Sequence, residues 1–309
     1  MNSHKIKILG TLDAKYLILE KLDKTGFIFK VLDTESNEIK VAKIYLDNKI
    51  SQYQKEVNII KELGNLPFIM KFYSWGEGFL KMEETKNELR KYIIMELAKR
   101  SIFDYVDAST TPFSENTCKF IFYQLILAIQ NLHKKGICHR DIKLENMLFV
   151  GNDFSVRLCD FDLSAFFLVN GNKIKLNERV GSPHHYPPEI ISAKEYDGEK
   201  IDVFCAGVTL KTLVTKKFGF FDACRSDILY KLIIKKRYEE YWDKLDKNKT
   251  LSNELKDLYM KMVAYNPKDR PSLDEILNSD WLKNIRNASE EEIKNIKNKM
   301  IEELNSVKF

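Results

Sequence analysis

HRDIKLEN, His139 to Asn146, followed by CDFD, Cys159 to Asp162, is the stretch that decides how this chain folds and what chemistry it can carry. It brings a carboxylate (Asp141), an ammonium (Lys143), an amide (Asn146) and a second carboxylate (Asp160) together at the spacing phosphoryl transfer requires. Asp141 can accept the proton of an attacking hydroxyl, and Lys143 can sit against the phosphate being moved. Asn146 and Asp160 offer hard oxygen atoms for magnesium, which prefers oxygen and keeps some of its waters. An isolated HRD is common by chance. HRD with Lys143, Asn146 and a following DF pair is not.

The chain has 309 residues, enough for one large core or two lobes, with 44% hydrophobic and 31% charged residues, as in ordinary globular proteins. A net charge of +5, with bases and acids interspersed, gives no reason to expect nucleic acid as a partner. Cysteines 118, 138, 159, 205 and 224 are odd in number and form no CxxC pair, which fits a reducing compartment. The start, MNSHKIKILG, has no apolar core and no glycine at position 2, so neither secretion nor myristoylation is indicated. The most apolar helix-like run, Phe120 to Ile129, is too short for a bilayer. No membrane partner is expected, and the cytoplasm or the nucleus is the expected location.

Over residues 16 to 95 short apolar runs alternate with turns: YLILEKL, FIFKVLD, IKVAKIY, FIMKFYS and KYIIMEL read as strands. One helix, SQYQKEVNIIKEL at 51–63, interrupts them, with Val57, Ile60 and Leu63 at helical spacing. Glu77 to Arg90 reads as a polar, exposed connection. From Ile102 onward helices dominate. Ser114 caps one whose apolar face is Ile121, Leu125, Ala128 and Leu132, and Gly136 stops it. Further helices are expected at Lys200–Leu213, Asp227–Lys236, Leu255–Val263 and Leu273–Leu277. Ser289 followed by three glutamates opens a last helix with an apolar stripe of Ile293, Ile296, Met300, Leu304 and Val307. That stripe serves either packing on the large lobe or a contact, over 289–307, with a partner or for autoinhibition. The expectation is an α+β, bilobal fold: a strand-rich lobe over 10–97, a mainly helical lobe over 98–285 and an amphipathic helix over 286–309. No D-x-D-x-D-G loop occurs, so a built-in calcium sensor is not expected.

From about Tyr16 to Leu282 the chain resembles the catalytic domain of eukaryotic protein kinases, most of all the serine/threonine kinases of the calcium/calmodulin-dependent and AMP-activated group. The resemblance implies ATP and magnesium as cofactors and protein serine or threonine hydroxyls as substrates. It implies that Lys43 of VAK holds the nucleotide phosphates and pairs with Glu56, and that Glu96 and the backbone of Ala98 bind the adenine edge behind Met95. Leu148 would floor the adenine. GSPHHYPPE, Gly181 to Glu189, resembles the family's GSPxYxAPE, with Glu189 expected to bridge to Arg270 and Asp202 to support the HRD backbone. Lys143 and Ser182 favour serine or threonine over tyrosine.

Three places depart from that pattern. The family's glycine-rich loop aligns with Asp23-Lys24-Thr25-Gly26-Phe27-Ile28, so Asp23, Thr25 and Ile28 stand where glycines let backbone amides approach phosphate. Gly26 lies between them, and Asp23 would bring negative charge near the nucleotide. Asp162 replaces the glycine of DFG. Glu178 stands where related kinases carry an activating threonine. The expected function is a serine/threonine kinase with Asp141 and Lys143 as catalytic residues; a pseudokinase scaffold is the alternative.

Overall fold

The computed structural model describes residues 7–23, 27–82 and 87–309. They divide into two compact units, one ending at Leu66 and resuming over Met70–Ala98, the other made of Pro67–Ile69 and Lys99–Phe309.

In the first unit, period-two patterning builds a closed barrel. Its strands are β1 (Gly10–Leu12), β2 (Tyr16–Lys21), β3 (Ile28–Asp33), β4 (Glu38–Tyr45), β5 (Phe72–Met82) and β6 (Glu88–Glu96), in the order β1-β2-β3-β4-β6-β5. Alternation in IFKVLD turns Phe29 and Val31 inward, where they meet Leu12, Tyr16, Ile18, Ala42, Ile44, Tyr92 and Ile94. Helix α1 (Ile50–Leu63) lays Tyr53, Val57 and Ile60 on Tyr45 and Ile93 from outside.

Two readings of this region are corrected. Glu77 to Arg90 is not a loop over its described part, because β5 and β6 extend through it in register from Glu77↔Lys91 to Leu80↔Glu88. Its polar residues face outward and pair across the strands, as Glu77 does with Lys91. FIMKFYS is not one strand either. Phe68 takes a left-handed backbone (φ 64°), its carbonyl accepts Leu158 N–H at 2.8 Å, and Ile69 bridges Leu158, so the strand begins only at Phe72.

The second unit is built around buried helices. These are α2 (Ile102–Ala108), α3 (Glu115–Lys134), α4 (Pro188–Ile191), α5 (Gly198–Thr215), α6 (Tyr230–Ile234), α7 (Tyr238–Leu245), α8 (Asn253–Met262), α9 (Leu273–Leu277), α10 (Lys283–Arg286) and α11 (Glu290–Asn305). Short strands β7 (Ile137–Cys138), β8 (Met147–Val150), β9 (Ser155–Leu158), β10 (Ala165–Phe166), β11 (Leu168–Val169) and β12 (Asn172–Lys173) lie between α3 and α4. Ser114 caps α3 by accepting Thr117 N–H, as its sequence suggests. Helix α5 is apolar on nearly every side and is accordingly central, with Ile201, Val203, Phe204, Val208 and Leu210 all buried. None of the described helices is long and apolar enough to cross a membrane.

Helix α11 belongs to this unit. Ser289 and Glu292 form a capping box, and Met300 and Leu304 are fully buried. Glu303 accepts Ser114 N–H, Lys297 pairs with Asp153 at 2.7 Å, and Phe309 stacks edge-on against Tyr105. The middle of the apolar stripe is thus covered within the chain.

Candidate functional site

Residues expected to act together fall into two groups, one in each unit. In the first, alternation along β4 puts Lys43 and Tyr45 on the side facing α1. Lys43 Nζ donates to Glu56 Oε1 at 3.1 Å and to Oε2 at 2.9 Å. Glu56 is 1% exposed, so this is an ion pair sheltered from water. Glu96, at the end of β6, accepts Lys71 N–H through Oε1 at 2.7 Å. Ala98 is the last residue of the unit. Asp23 Oδ1 accepts the N–H groups of Phe27 (3.0 Å) and Ile28 (2.9 Å). Thr25 and Gly26 lie outside the described residues.

In the second unit the catalytic loop is fixed from beneath. Asp202, fully buried on α5, accepts the N–H groups of His139 and Arg140, each at 2.8 Å, and the His133 ring at 2.8 Å. Arg140 (φ 68°) takes a left-handed backbone that turns the chain toward Asp141. Lys143 Nζ donates to Asp141 Oδ2 at 2.7 Å, Ser182 Oγ donates to Asp141 Oδ1 at 2.7 Å, and Asn146 Nδ2 donates to Asp141 Oδ2 at 3.0 Å. Burial works to raise the Asp141 carboxyl, but its bonds from Lys143 and Ser182 outweigh that and hold it below the usual carboxylate range. It is a charged acceptor with its direction set.

The amide nitrogen of Asn146 is committed to Asp141, which leaves its side-chain oxygen as the atom able to meet a cation. Asp160 is half-buried with φ 64°, and the next ring, Phe161, is fully buried edge-on to His139 at 5.2 Å. Asn146 and Asp160 are hard oxygen donors, the type magnesium takes alongside substrate phosphates. Leu148 is half-buried on β8 between fully buried Met147 and Phe149.

The segment after Asp160 is tied to this loop. Arg140 Nη1 pairs with Glu178 Oε2 at 2.9 Å and bonds Tyr196 Oη at 3.1 Å. Burial opposes the Arg140 charge, yet Tyr196 and Glu178 leave its pKa raised. Gly181 runs at φ 108°, and a Cβ there would meet the Arg140 carbonyl oxygen at 2.6 Å, so only glycine fits. Glu189 and Arg270 form a buried double bridge at 2.6 and 2.7 Å.

Two participants escaped the sequence reading: Tyr45, which donates to Glu56, and Tyr196, which donates to the Glu178 carbonyl at 2.8 Å. Ser182, expected only as a mark of hydroxyl preference, reaches Asp141 itself. Tyr45 alone had a signal: it lies two residues beyond Lys43 on the same strand face.

Residues 22–282 match the family model described as Protein kinase domain. The chain is 31% identical over 230 residues to a carbon catabolite-derepressing protein kinase of Candida glabrata, covering 74% of this chain and 34% of that one. It is 30% identical over 271 residues to CBL-interacting protein kinase 26 of Oryza sativa subsp. japonica, covering 87% and 52%. It is 34% identical over 179 residues to serine/threonine-protein kinase SRK2C of Arabidopsis thaliana, covering 57% and 51%. The chain thus spans about a third to a half of the length of these relatives.

Proposed function

This chain belongs to the protein kinase domain family, and from that premise we propose that it transfers the γ-phosphate of ATP to serine or threonine hydroxyls of proteins. The observation that carries the proposal is Asp141, ionised, buried and oriented by Lys143, Ser182 and Asn146. In the reaction the acceptor oxygen forms a bond to the γ-phosphorus as the bond from phosphorus to the β-bridging oxygen breaks, and ADP leaves with that electron pair. Asp141 takes the acceptor's proton, and the Lys143 ammonium offsets charge on the phosphate oxygens. Lys43, held by Glu56, binds the α- and β-phosphates. Glu96 and the Ala98 backbone serve the adenine edge, and Leu148 its face. Asn146 and Asp160 would hold magnesium, which would supply positive charge to offset that of the phosphate.

Ser182 supports hydroxyl specificity, because its own Oγ already satisfies Asp141 in the way a serine or threonine substrate would. Burial of Met300 and Leu304 on α11 supports a bracing role for 289–307 rather than a partner surface. Cysteines that are odd in number and form no CxxC pair support a reducing location, the cytoplasm or the nucleus. The rival, a non-catalytic scaffold, is favoured by side chains at all three loop glycine positions. Thermal shift with ATP, with and without magnesium, separates the two. A kinase is stabilised more when magnesium is present, and Asp160→Asn abolishes that increment. An increment unchanged in Asp160→Asn, together with wild-type phosphate transfer, overturns the assignment.

A further inference from the structure

Beyond the lysine–glutamate pair, the geometry points to Tyr45 as a positioning residue of the nucleotide site, one that holds the Glu56 carboxylate so that Lys43 can turn toward phosphate. This rests on the kinase reading above. Lys43 and Tyr45 leave β4 on the same face, and both converge on Glu56 of α1: Lys43 Nζ bonds both carboxylate oxygens, and the Tyr45 hydroxyl donates to Oε2. Tyr45 is 3% exposed. Its ring meets Tyr53, one helical turn before Glu56, edge-on at 5.2 Å, and lies 5.5 Å from the Lys43 ammonium. Val57, Ile60 and Ile93 complete the cluster around it. The hydroxyl is therefore aimed by packing on both β4 and α1.

The arrangement solves a problem that a buried carboxylate poses. A carboxylate deprived of water needs its hydrogen bonds, and leaving it underbonded is costly. A phosphate arriving at Lys43 draws donor strength away from Glu56. Tyr45 is a neutral donor that phosphate does not attract, and burial together with the Glu56 charge keeps its phenol protonated by pushing it well above the ordinary range. Its bond persists while Lys43 shifts, so the cost of sharing Lys43 falls. The consequence lies in ground-state nucleotide binding rather than in the chemical step.

Tyr45→Phe keeps the ring and removes only the hydroxyl. Calorimetric titration with a non-hydrolysable ATP analogue and magnesium should give a Kd about tenfold weaker than wild type, as loss of a hydrogen bond to a charged group implies. Turnover at saturating ATP should change by less than about twofold. In a Glu56→Gln background the same change should add less than about twofold, since the two residues act as a unit. Equal Kd values for wild type and Tyr45→Phe, or full additivity with Glu56→Gln, overturn the role of Tyr45 and leave the kinase reading standing. A wild-type protein that binds no nucleotide overturns that reading, and the role of Tyr45 falls with it.

Discussion

Lys211 puts a cation inside the most apolar helix of the second unit, and its removal should make the protein more stable. It is 2% exposed on α5, and its ammonium donates to Thr215 Oγ1 at 2.9 Å. Burial pushes it from 10.5 down to about 8; Asp246 opposes the fall and Lys217 adds to it. The folded state therefore binds its proton less tightly than the unfolded chain does. Below about pH 8 both states carry the proton, and the folded state bears the whole penalty. Between about 8 and 10.5 only the unfolded chain remains protonated, so stability rises with pH, and above that window the penalty is gone. At 1.36 kcal/mol per pKa unit the penalty is about 3 kcal/mol at pH 7 and about 1 kcal/mol at pH 9.5. Lys211→Met keeps an unbranched chain of similar length and removes the charge. Chemical denaturation of both proteins should show the variant more stable by those amounts, with the gap closing as pH rises. A variant less stable than wild type at pH 7, or a gap independent of pH, would show that burial of the Lys211 charge does not destabilise the fold.

Three further outcomes follow from the site. Protein made without any upstream kinase should already be active and insensitive to phosphatase, because Glu178 pairs with Arg140 in place of a phosphate; Glu178→Ala should lower activity several-fold, and activation of the wild type by phosphorylation of this loop would contradict that. Glu189→Gln should strand the Arg270 guanidinium inside the protein and cost about 3–5 kcal/mol, read as a fall in denaturation midpoint; a shift under about 1 kcal/mol would show that water reaches the pair. Asp162→Gly should tighten binding of inhibitors that require the DF pair inverted, since glycine passes through backbone angles closed to aspartate; equal affinities would remove that argument.

What the sequence disclosed, and what it withheld, follows from how far apart the interacting residues lie along the chain. The catalytic loop was legible because Asp141, Lys143 and Asn146 act from one short segment, where spacing along the chain is spacing in space. Helix α5 was legible because a helix apolar all round has one place to go. The barrel closure was not: β1 has three residues, too few to display a period, and it pairs with β5 across some seventy positions, Gly10 with Met82. The extension of β5 and β6 was hidden by outward-facing charge, which resembles loop composition until cross-strand pairing is known. Tyr196 reaches Arg140 from far along the chain, so nothing local marks it. Asp23 is different. A carboxylate a few residues ahead of backbone amides is a local capping arrangement, and those bonds were readable from the sequence.

The role of Asp141 as proton acceptor in transfer of phosphate from ATP to a hydroxyl can be read from the rate of transfer to a serine- or threonine-containing peptide by wild type and Asp141→Asn, with nucleotide Kd measured on the same preparations. Wild type should transfer phosphate, and Asp141→Asn should be slower by at least about a hundredfold, with Kd changed by less than about twofold. Wild-type rates in Asp141→Asn, with nucleotide still bound, would contradict that role.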